Sequence, residues 1–146
     1  MTKIKLCGLS RPRDILAANQ LRPEYIGFVF APKSRRYVSS GQARDLKALL
    51  APQIRAVGVF VNEGIDRVEE LLNSGVIDLV QLHGSEDADY IRQLRTRTGK
   101  PVIQAFRIAS VGDVQRAEHS MADRILLDAG AGTGTVFDWS LLHQIR

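Results

Sequence analysis

The feature that most constrains the fold of this chain is a regular alternation between two kinds of segment. Short runs of β-branched and apolar residues, typical of strands, alternate with longer segments whose apolar residues recur at helical spacing. Strands separated by helices are joined by crossovers, so the pattern predicts a parallel sheet covered by helices. Six such βα units follow one another over residues 1–146 without a linker or low-complexity tract, so we expect a single domain.

Capping residues set the expected boundaries of these units. Ser10 is placed to cap the first helix, Ser39 or Ser40 the second, and Ser85 the fourth, whose first turn would hold Glu86 and Asp87. These helices are expected to end near residues 21, 50 and 99, and others to cover 65–73, 111–119 and, after Asp138, 139–146. The predicted strands cover residues 3–7, 25–30, 54–61, 78–82, 101–105 and 124–127.

Regular βα repetition is compatible with an open doubly wound sheet or with a closed barrel. A dinucleotide-binding sheet calls for Gly-x-Gly-x-x-Gly after the first strand, whereas the turn here reads Cys7-Gly8-Leu9-Ser10. The sequence therefore favours a TIM (β/α)8 barrel, with six of its eight βα units present in this chain. Six strands leave two edges unpaired, so we expect an incomplete chain, a partner that supplies the rest, or another fold.

Composition narrows the class of protein. The 146 residues are 45% hydrophobic and 25% charged, and no apolar run approaches a membrane span of ~18 residues, so no membrane association is expected. The net charge of +4 comes from scattered basic residues, which disfavours nucleic acid and suits a small anionic substrate. A single cysteine and the lack of a signal peptide indicate a reducing, cytoplasmic setting.

Reactive groups of a parallel barrel lie at the carboxyl ends of its strands. Cys7 follows Lys5 by two residues, so both side chains share one face of the first strand, while Ile4 and Leu6 point toward the helices. A nearby lysine favours the thiolate, which can accept a proton. Cys7 is therefore a candidate base or, alternatively, a small buried hydrophobic residue.

Two further strand ends carry charged residues. Asp128 ends the apolar run 125–127, where it is placed to act as a general acid or to cap the following loop. Arg35 and Arg36 follow the second strand together with Lys33. Adjacent basic groups can bind a carboxylate or phosphate, or simply form a solvated turn.

The remaining candidates are less specific on their own. Gly132 and Gly134 lie in a glycine-rich loop that either lets backbone N–H groups approach an anion or serves as a plain connection. Gln81 and His83 end the fourth strand, where a lone histidine is more often structural than catalytic. His119 and His143 lack metal-ligand spacing to His83, so no metal site is expected.

Together these segments resemble phosphoribosylanthranilate isomerases. Each stretch is moderately specific, but the set occurs in the family's order and spans nearly the whole chain. The matching stretches are residues 3–8, 27–30, 32–39, 57–62, 80–84, 126–128, 132–134 and 137–139.

The resemblance implies an eight-unit barrel that catalyses an Amadori rearrangement in tryptophan biosynthesis. In the family, the aspartate that matches Asp128 is the general acid for ribose ring opening. The cysteine that matches Cys7 removes the C2 proton, and the arginine that matches Arg36 holds the anthranilate group. The resemblance also places Gln81, His83, Gly132 and Gly134 at the substrate. No metal or organic cofactor is implied, because the substrate's own imine is the electron sink.

The family's seventh and eighth strands, whose loops bind the substrate phosphate, are expected to be missing. The alternative to an isomerase is therefore a catalytically silent partial barrel that acts by association. Formation of a homo-oligomer is a further possibility. Another sugar-phosphate enzyme, such as an epimerase, would call for clustered metal ligands or a carboxylate pair, which the sequence does not present. We expect residues 1–146 alone to be inactive and to associate through strand edges.

Overall fold

The computed structural model describes residues 1–130 and 136–144 and contains a six-stranded parallel sheet whose strand order follows the sequence. The strands are β1 (Lys5–Cys7), β2 (Tyr25–Val29), β3 (Arg55–Phe60), β4 (Leu79–Leu82), β5 (Val102–Arg107) and β6 (Arg124–Asp128). Five helices connect them, α1 (Pro12–Leu21), α2 (Ser40–Leu49), α3 (Ile65–Asn73), α4 (Ala88–Thr98) and α5 (Val111–Glu118), and a 3-10 helix (Trp139–Gln144) follows β6. The predicted succession of six βα units is confirmed. None of the helices in the described part of the chain has the length and apolar character needed to cross a membrane.

The sheet is curled, as contacts between distant strands show. Arg124 on β6 donates a hydrogen bond to the Tyr25 hydroxyl on β2, with 2.6 Å between Nη1 and the phenol oxygen. In a flat sheet, four strand spacings of about 4.8 Å would separate these two strands. The curl brings the side chains together across a concave inner face. This is the arrangement of six consecutive units of a TIM barrel, so the predicted fold class is confirmed.

Two apolar clusters stabilise the curled sheet. The larger one lies between the outer face and the helices, and there the rings of Phe30 and Phe60 stack with centroids 5.0 Å apart. The smaller cluster fills the inner face and consists of Tyr25, Val57, Leu79 and Ile103, with Leu126 packed against it. Period-two alternation along the strands explains both clusters, because successive side chains point to opposite faces.

Local capping chemistry reproduces some of the predicted boundaries. Ser39 caps α2: its hydroxyl accepts from the Gln42 N–H at 3.2 Å, and the Gln42 side chain accepts from the Ser39 N–H at 2.9 Å. α4 ends at Gly99, which adopts a left-handed φ of 63°. The predicted end of that helix and the Ser39 cap are both confirmed.

Other predicted boundaries are wrong. α1 begins after Arg11 rather than Ser10. Arg11 is the last extended residue, and the carboxylate of Asp14, the third residue of the helix, accepts from the backbone N–H groups of Ser10 and Arg11. α4 begins after Asp87, whose carboxylate accepts from the Tyr90 N–H, so Ser85 is not its cap.

The final predicted helix also differs from its expectation, since residues 139–144 form a 3-10 helix instead of an α-helix. Its predicted cap is nevertheless present, because Asp138 accepts from the Ser140 N–H at 3.0 Å.

Candidate active site

A chain of side-chain contacts crosses the concave face from one edge of the sheet to the other. Lys5 on β1 donates from Nζ to the Gln81 Oε1 on β4. The Gln81 Nε2 lies 3.1 Å from the His83 Nδ1, and the His83 Nε2 lies 3.3 Å from the Asp128 Oδ2 at the end of β6. The structure therefore brings together three predicted residues, two from the end of β4 and one from the end of β6, and adds Lys5 to them.

Cys7 ends β1 with an exposed thiol, so its alternative interpretation as a buried hydrophobic residue is wrong. Gly27 is its register partner on β2. A Cβ atom at Gly27 would stand 2.7 Å from the Cys7 Sγ and 3.3 Å from the Lys5 Cε. Glycine at this position therefore leaves the space that both the thiol and the lysine side chain occupy.

Lys5 and Cys7 form an electrostatic pair. Burial lowers the pKa of the Lys5 ammonium, while the charge of Cys7 and a hydrogen bond to it act in the opposite direction. The charge of Arg36 adds a smaller lowering effect to the pKa of Lys5.

Arg36 lies directly beside the end of β1. Its Nη1 donates to the Cys7 carbonyl oxygen at 3.1 Å, and its side chain crosses Gly8 so closely that a Cβ atom there would stand 2.5 Å from the Arg36 Cδ. Gly8 also has a φ of 85°, which favours glycine. The loop that carries Arg36 is held by a backbone hydrogen bond from Val38 to Val29 at 2.9 Å. Arg35 and Arg36 are both exposed, but the contact with the Cys7 carbonyl makes Arg36 the arginine at the site.

Glu86 joins the loops that follow β3 and β4, a role that sequence reasoning missed. Its buried carboxylate accepts from the Asn62 N–H at 2.6 Å and from the Gly84 N–H at 2.8 Å. The Asn62 side chain in turn accepts from the Ser85 N–H at 2.8 Å. These bonds fix the loop that begins at His83. No local sequence signal distinguishes such a glutamate from one in the first turn of a helix, where Glu86 was expected.

Two cavities differ in their relation to these residues. One of about 370 Å³ adjoins Asp128 and is otherwise apolar, lined by Leu127, Ala129, Phe137, Trp139 and Leu142. Another of about 440 Å³ is lined by α4, α5 and β5 residues, such as Ala88, Arg116 and Phe106, and by none of the predicted site residues. Gly132 and Gly134 lie outside the described residues. Within residues 1–130 and 136–144, no three His, Cys, Asp or Glu side chains are grouped to hold a metal ion.

The arrangement suits proton transfer on a small anionic molecule. The thiolate of an exposed cysteine can take a proton, and a carboxyl group across the same face can deliver one. A guanidinium group beside the thiol can bind a carboxylate or phosphate through paired hydrogen bonds.

Known proteins are similar to this chain in sequence and in fold. A family model described as N-(5'phosphoribosyl)anthranilate (PRA) isomerase matches residues 4–146. The N-(5'-phosphoribosyl)anthranilate isomerase of Endomicrobium trichonymphae is 42% identical, and the alignment covers 100% of this chain and 74% of that protein. The chain therefore spans about three quarters of that relative's length.

Two solved structures give the same result. A phosphoribosyl anthranilate isomerase in complex with reduced 1-(o-carboxyphenylamino)-1-deoxyribulose 5-phosphate is 34% identical with a TM-score of 0.86, over 100% of this chain and 73% of that one. A monomeric form of the dimeric isomerase of Thermotoga maritima is 34% identical with a TM-score of 0.85, over 99% and 70%. Sequence, family model and fold agree, and the chain belongs to the N-(5'-phosphoribosyl)anthranilate isomerase family.

Proposed function

We propose that this protein isomerises N-(5'-phosphoribosyl)anthranilate to 1-(2-carboxyphenylamino)-1-deoxyribulose 5-phosphate, a step of tryptophan biosynthesis, with Cys7 as base and Asp128 as acid. The observation that carries the proposal is that these two residues, from opposite edges of the sheet, are linked across one concave face through Lys5, Gln81 and His83. An Amadori rearrangement moves protons at neighbouring atoms of one molecule, which is the task of such a pair.

The reaction divides between the two residues. Asp128 donates its proton to the ribose ring oxygen while the C1–O bond breaks, and the lone pair of the anilino nitrogen forms a C1=N iminium. The Cys7 thiolate then removes the C2 proton, and the electron pair of the C2–H bond moves toward the iminium to give an enolamine. Tautomerisation adds a proton at C1 and removes one from the C2 hydroxyl, so the product is an isomer of the substrate.

Arg36 and the glycine-rich loop supply the binding groups of this proposal. Arg36 is held beside Cys7, where it can pair with the anthranilate carboxylate while Cys7 faces C2. Gly132 and Gly134 would let backbone N–H groups approach the phosphorylated end, an assignment that the residue types support. Gln81 and His83 are assigned to the substrate site as well, because they lie between the base and the acid.

Asp128→Asn tests the proposal in purified protein that carries all eight βα units of the barrel, with N-(5'-phosphoribosyl)anthranilate as substrate and chromatographic separation of substrate and product. The amide keeps the shape of the side chain but cannot act as the acid, so we expect kcat to fall by roughly 10²-fold or more with a much smaller change in KM. Asp89→Asn on the exposed face of α4 is the matched control and should keep wild-type kcat. A normal kcat with a raised KM in Asp128→Asn would make Asp128 a binding residue.

The alternative, a catalytically silent partial barrel that acts by association, is not favoured. The observation that would favour it is that β1 and β6 are each paired on one side only in the described residues. The family membership and the linked acid and base favour the isomerase. A folded protein that carries all eight βα units and still does not turn over this substrate would instead support the silent barrel.

The oligomeric state and the cellular compartment of the protein are each proposed from a single observation. A homo-oligomer is supported by the relative from Thermotoga maritima, which is described as dimeric. Analytical ultracentrifugation at several protein concentrations would test it, and a single monomeric species throughout would contradict it. The exposed free thiol of Cys7 fits a reducing compartment, which supports a cytoplasmic location.

A further inference from the structure

We propose that Lys5 and Gln81 are positioning residues that hold His83 in the neutral tautomer with its proton on Nε2, so that His83 donates to Asp128. The inference rests on the proposed function, in which Asp128 is the general acid. It gives Lys5 a positioning role and adds one to Gln81, which the proposed function assigns to the substrate site. Neither side chain touches Asp128. Their effect reaches it through the imidazole ring.

The direction of the hydrogen bonds starts at Lys5. An ammonium group can only donate, so the Gln81 atom that faces it must be the carbonyl oxygen, Oε1. The other end of the amide, Nε2, can likewise only donate, and it lies 3.1 Å from the His83 Nδ1. Nδ1 must therefore be the acceptor nitrogen of the ring. In a neutral imidazole the proton then sits on Nε2, which lies 3.3 Å from the Asp128 Oδ2.

Burial of Gln81 fixes this direction. The residue is 3% exposed, so water does not offer its amide a substitute partner. Rotating the amide by half a turn would point its NH2 group at the Lys5 ammonium and its oxygen at the His83 ring. Two facing donors leave a buried group without an acceptor, which is costly in free energy. Among the described residues, no buried side-chain nitrogen or oxygen is without a partner.

Gly27 makes the first contact of this relay sterically feasible. β2 and β3 lie between the strands that carry Lys5 and Gln81. The Lys5 side chain extends past Gly27, where a Cβ atom would stand 3.3 Å from its Cε. The same glycine clears the Cys7 thiol, so one position without a side chain serves both the base and the relay.

The consequence for Asp128 concerns the moment at which it gives up its proton. A donor on Oδ2 stabilises the carboxylate that forms, and a hydrogen bond to a charged group is stronger than one to a neutral group. A neutral imidazole provides that donor without placing a positive charge beside the acid. The relay therefore keeps His83 as a neutral donor toward the acid.

The tautomer is measurable directly, by two-bond 1H–15N correlation NMR on the protein labelled at its histidine nitrogens. His83→Gln assigns the His83 signals, and His119 and His143 serve as internal references. We expect the His83 pattern of an Nε2–H neutral ring in the wild type. A wild-type pattern of the Nδ1–H tautomer or of the imidazolium would overturn the proposal, even with Asp128 acting as the acid.

Substitutions at Gln81 test the cause. In Gln81→Glu the carboxylate accepts at Nδ1, so the His83 pattern should change to Nδ1–H or imidazolium, and kcat should fall by roughly tenfold or more with little change in KM. Gln81→Met keeps the volume without the hydrogen bonds and should give mixed tautomers. Gln93→Met on the exposed face of α4 is the matched control and should change neither signal nor kcat. Wild-type tautomer and kcat in both folded Gln81 variants would overturn the role of Gln81.

A comparison of His83→Gln with His83→Ala separates hydrogen-bond donation by His83 from the packing of its ring. A glutamine amide in His83→Gln can still donate at a position near that of Nε2, so we expect it to keep more kcat than His83→Ala. Equal losses in the two variants would overturn the donor role of His83. Failure of the proposed function itself looks different, because Asp128→Asn would then keep its kcat whatever the tautomer of His83.

Discussion

The central strand β4 and the edge strands β1 and β6 differ in their packing and in the chemistry they carry. All four residues of β4 are buried, whereas every residue of β6 is at least partly exposed. Yet the proposed base Cys7 and the proposed acid Asp128 end the edge strands, and the buried strand contributes Gln81. Within the described residues, the reactive groups thus end strands that are paired on one side, and contacts with β4 link them.

This difference separates stability from activity. A strand in the middle of the sheet has partners on both sides and apolar layers above and below, so truncating its side chains leaves cavities. An edge strand is paired on one side, and its exposed side chains add little to the free energy of unfolding. We therefore expect substitutions in β4 to act mainly on folding and substitutions at the ends of β1 and β6 to act mainly on catalysis.

The largest expected effect contrasts two aliphatic truncations. Leu82 on β4 is 0% exposed and Ile125 on β6 is 41% exposed. Leu82→Ala should lower the free energy of unfolding by about 2–5 kcal/mol, because the emptied volume stays unfilled. Ile125→Ala should lower it by about 1 kcal/mol or less, since much of that side chain is already in water. Urea titration measures both, and equal losses would mean that the edge is packed as well as the centre.

Cys7→Ala, in a protein that carries all eight βα units, should show the opposite pattern. The thiol is exposed, so its removal should leave the free energy of unfolding nearly unchanged. Loss of the base should lower kcat by roughly 10²-fold or more. Steady-state kinetics and urea titration on the same preparation check both parts. Full activity in the alanine variant would remove Cys7 from the mechanism.

Arg36→Lys should give an intermediate effect. Lysine keeps the charge but loses the planar pair of donors, so KM should rise by about tenfold while kcat changes less. Arg35→Lys is the matched control, because both arginines are exposed and it is Arg36 that contacts the Cys7 carbonyl. If the Arg35 variant shows the higher KM and the Arg36 variant does not, the wrong arginine has been assigned to the anthranilate group.

The parts of the fold that the sequence predicts correctly depend on neighbours along the chain. The boundaries of α3 match residue for residue, because its apolar periodicity and the following Gly75 are local signals. The start of α4 was misplaced because Glu86 binds the backbone of Asn62, 24 residues away. A side chain used in a tertiary contact is no longer available for the cap that its position along the chain suggests.

The same distinction holds for the site. The rule that reactive groups end parallel strands predicts that Cys7, Gln81 and Asp128 lie together at the carboxyl ends of their strands. The contact between Lys5 and Gln81 depends on the curl of the sheet and on the empty position at Gly27. Neither follows from local pattern, because both arise from how four strands pack together.

Tyr25 is the residue that most directly joins the edge strand β6 to the rest of the sheet from within. Its hydroxyl accepts from Arg124, and the guanidinium groups of Arg124 and Arg55 lie over its ring, with their carbons 5.5 Å and 6.0 Å from the centroid. β6 is also held by its pairing with β5, by the packing of Leu126 against the inner cluster, and by the contact between His83 and Asp128. The phenol hydroxyl is therefore a small, separable part of what fixes the position of the acid.

Tyr25→Phe should give the smallest effect, and its location is more informative than its size. The ring and both cation–π contacts remain, so the free energy of unfolding should fall by about 1 kcal/mol, the usual net contribution of one hydrogen bond. Because the lost bond holds β6, amide hydrogen exchange should become faster at Leu126 and Leu127 than at Val57 and Val59 on β3. Tyr37→Phe, at an exposed tyrosine, is the matched control and should change neither quantity. Uniformly faster exchange across β3 and β6 would mean that the edge opens only together with the centre, and the contrast between the two regions would then be confined to their chemistry.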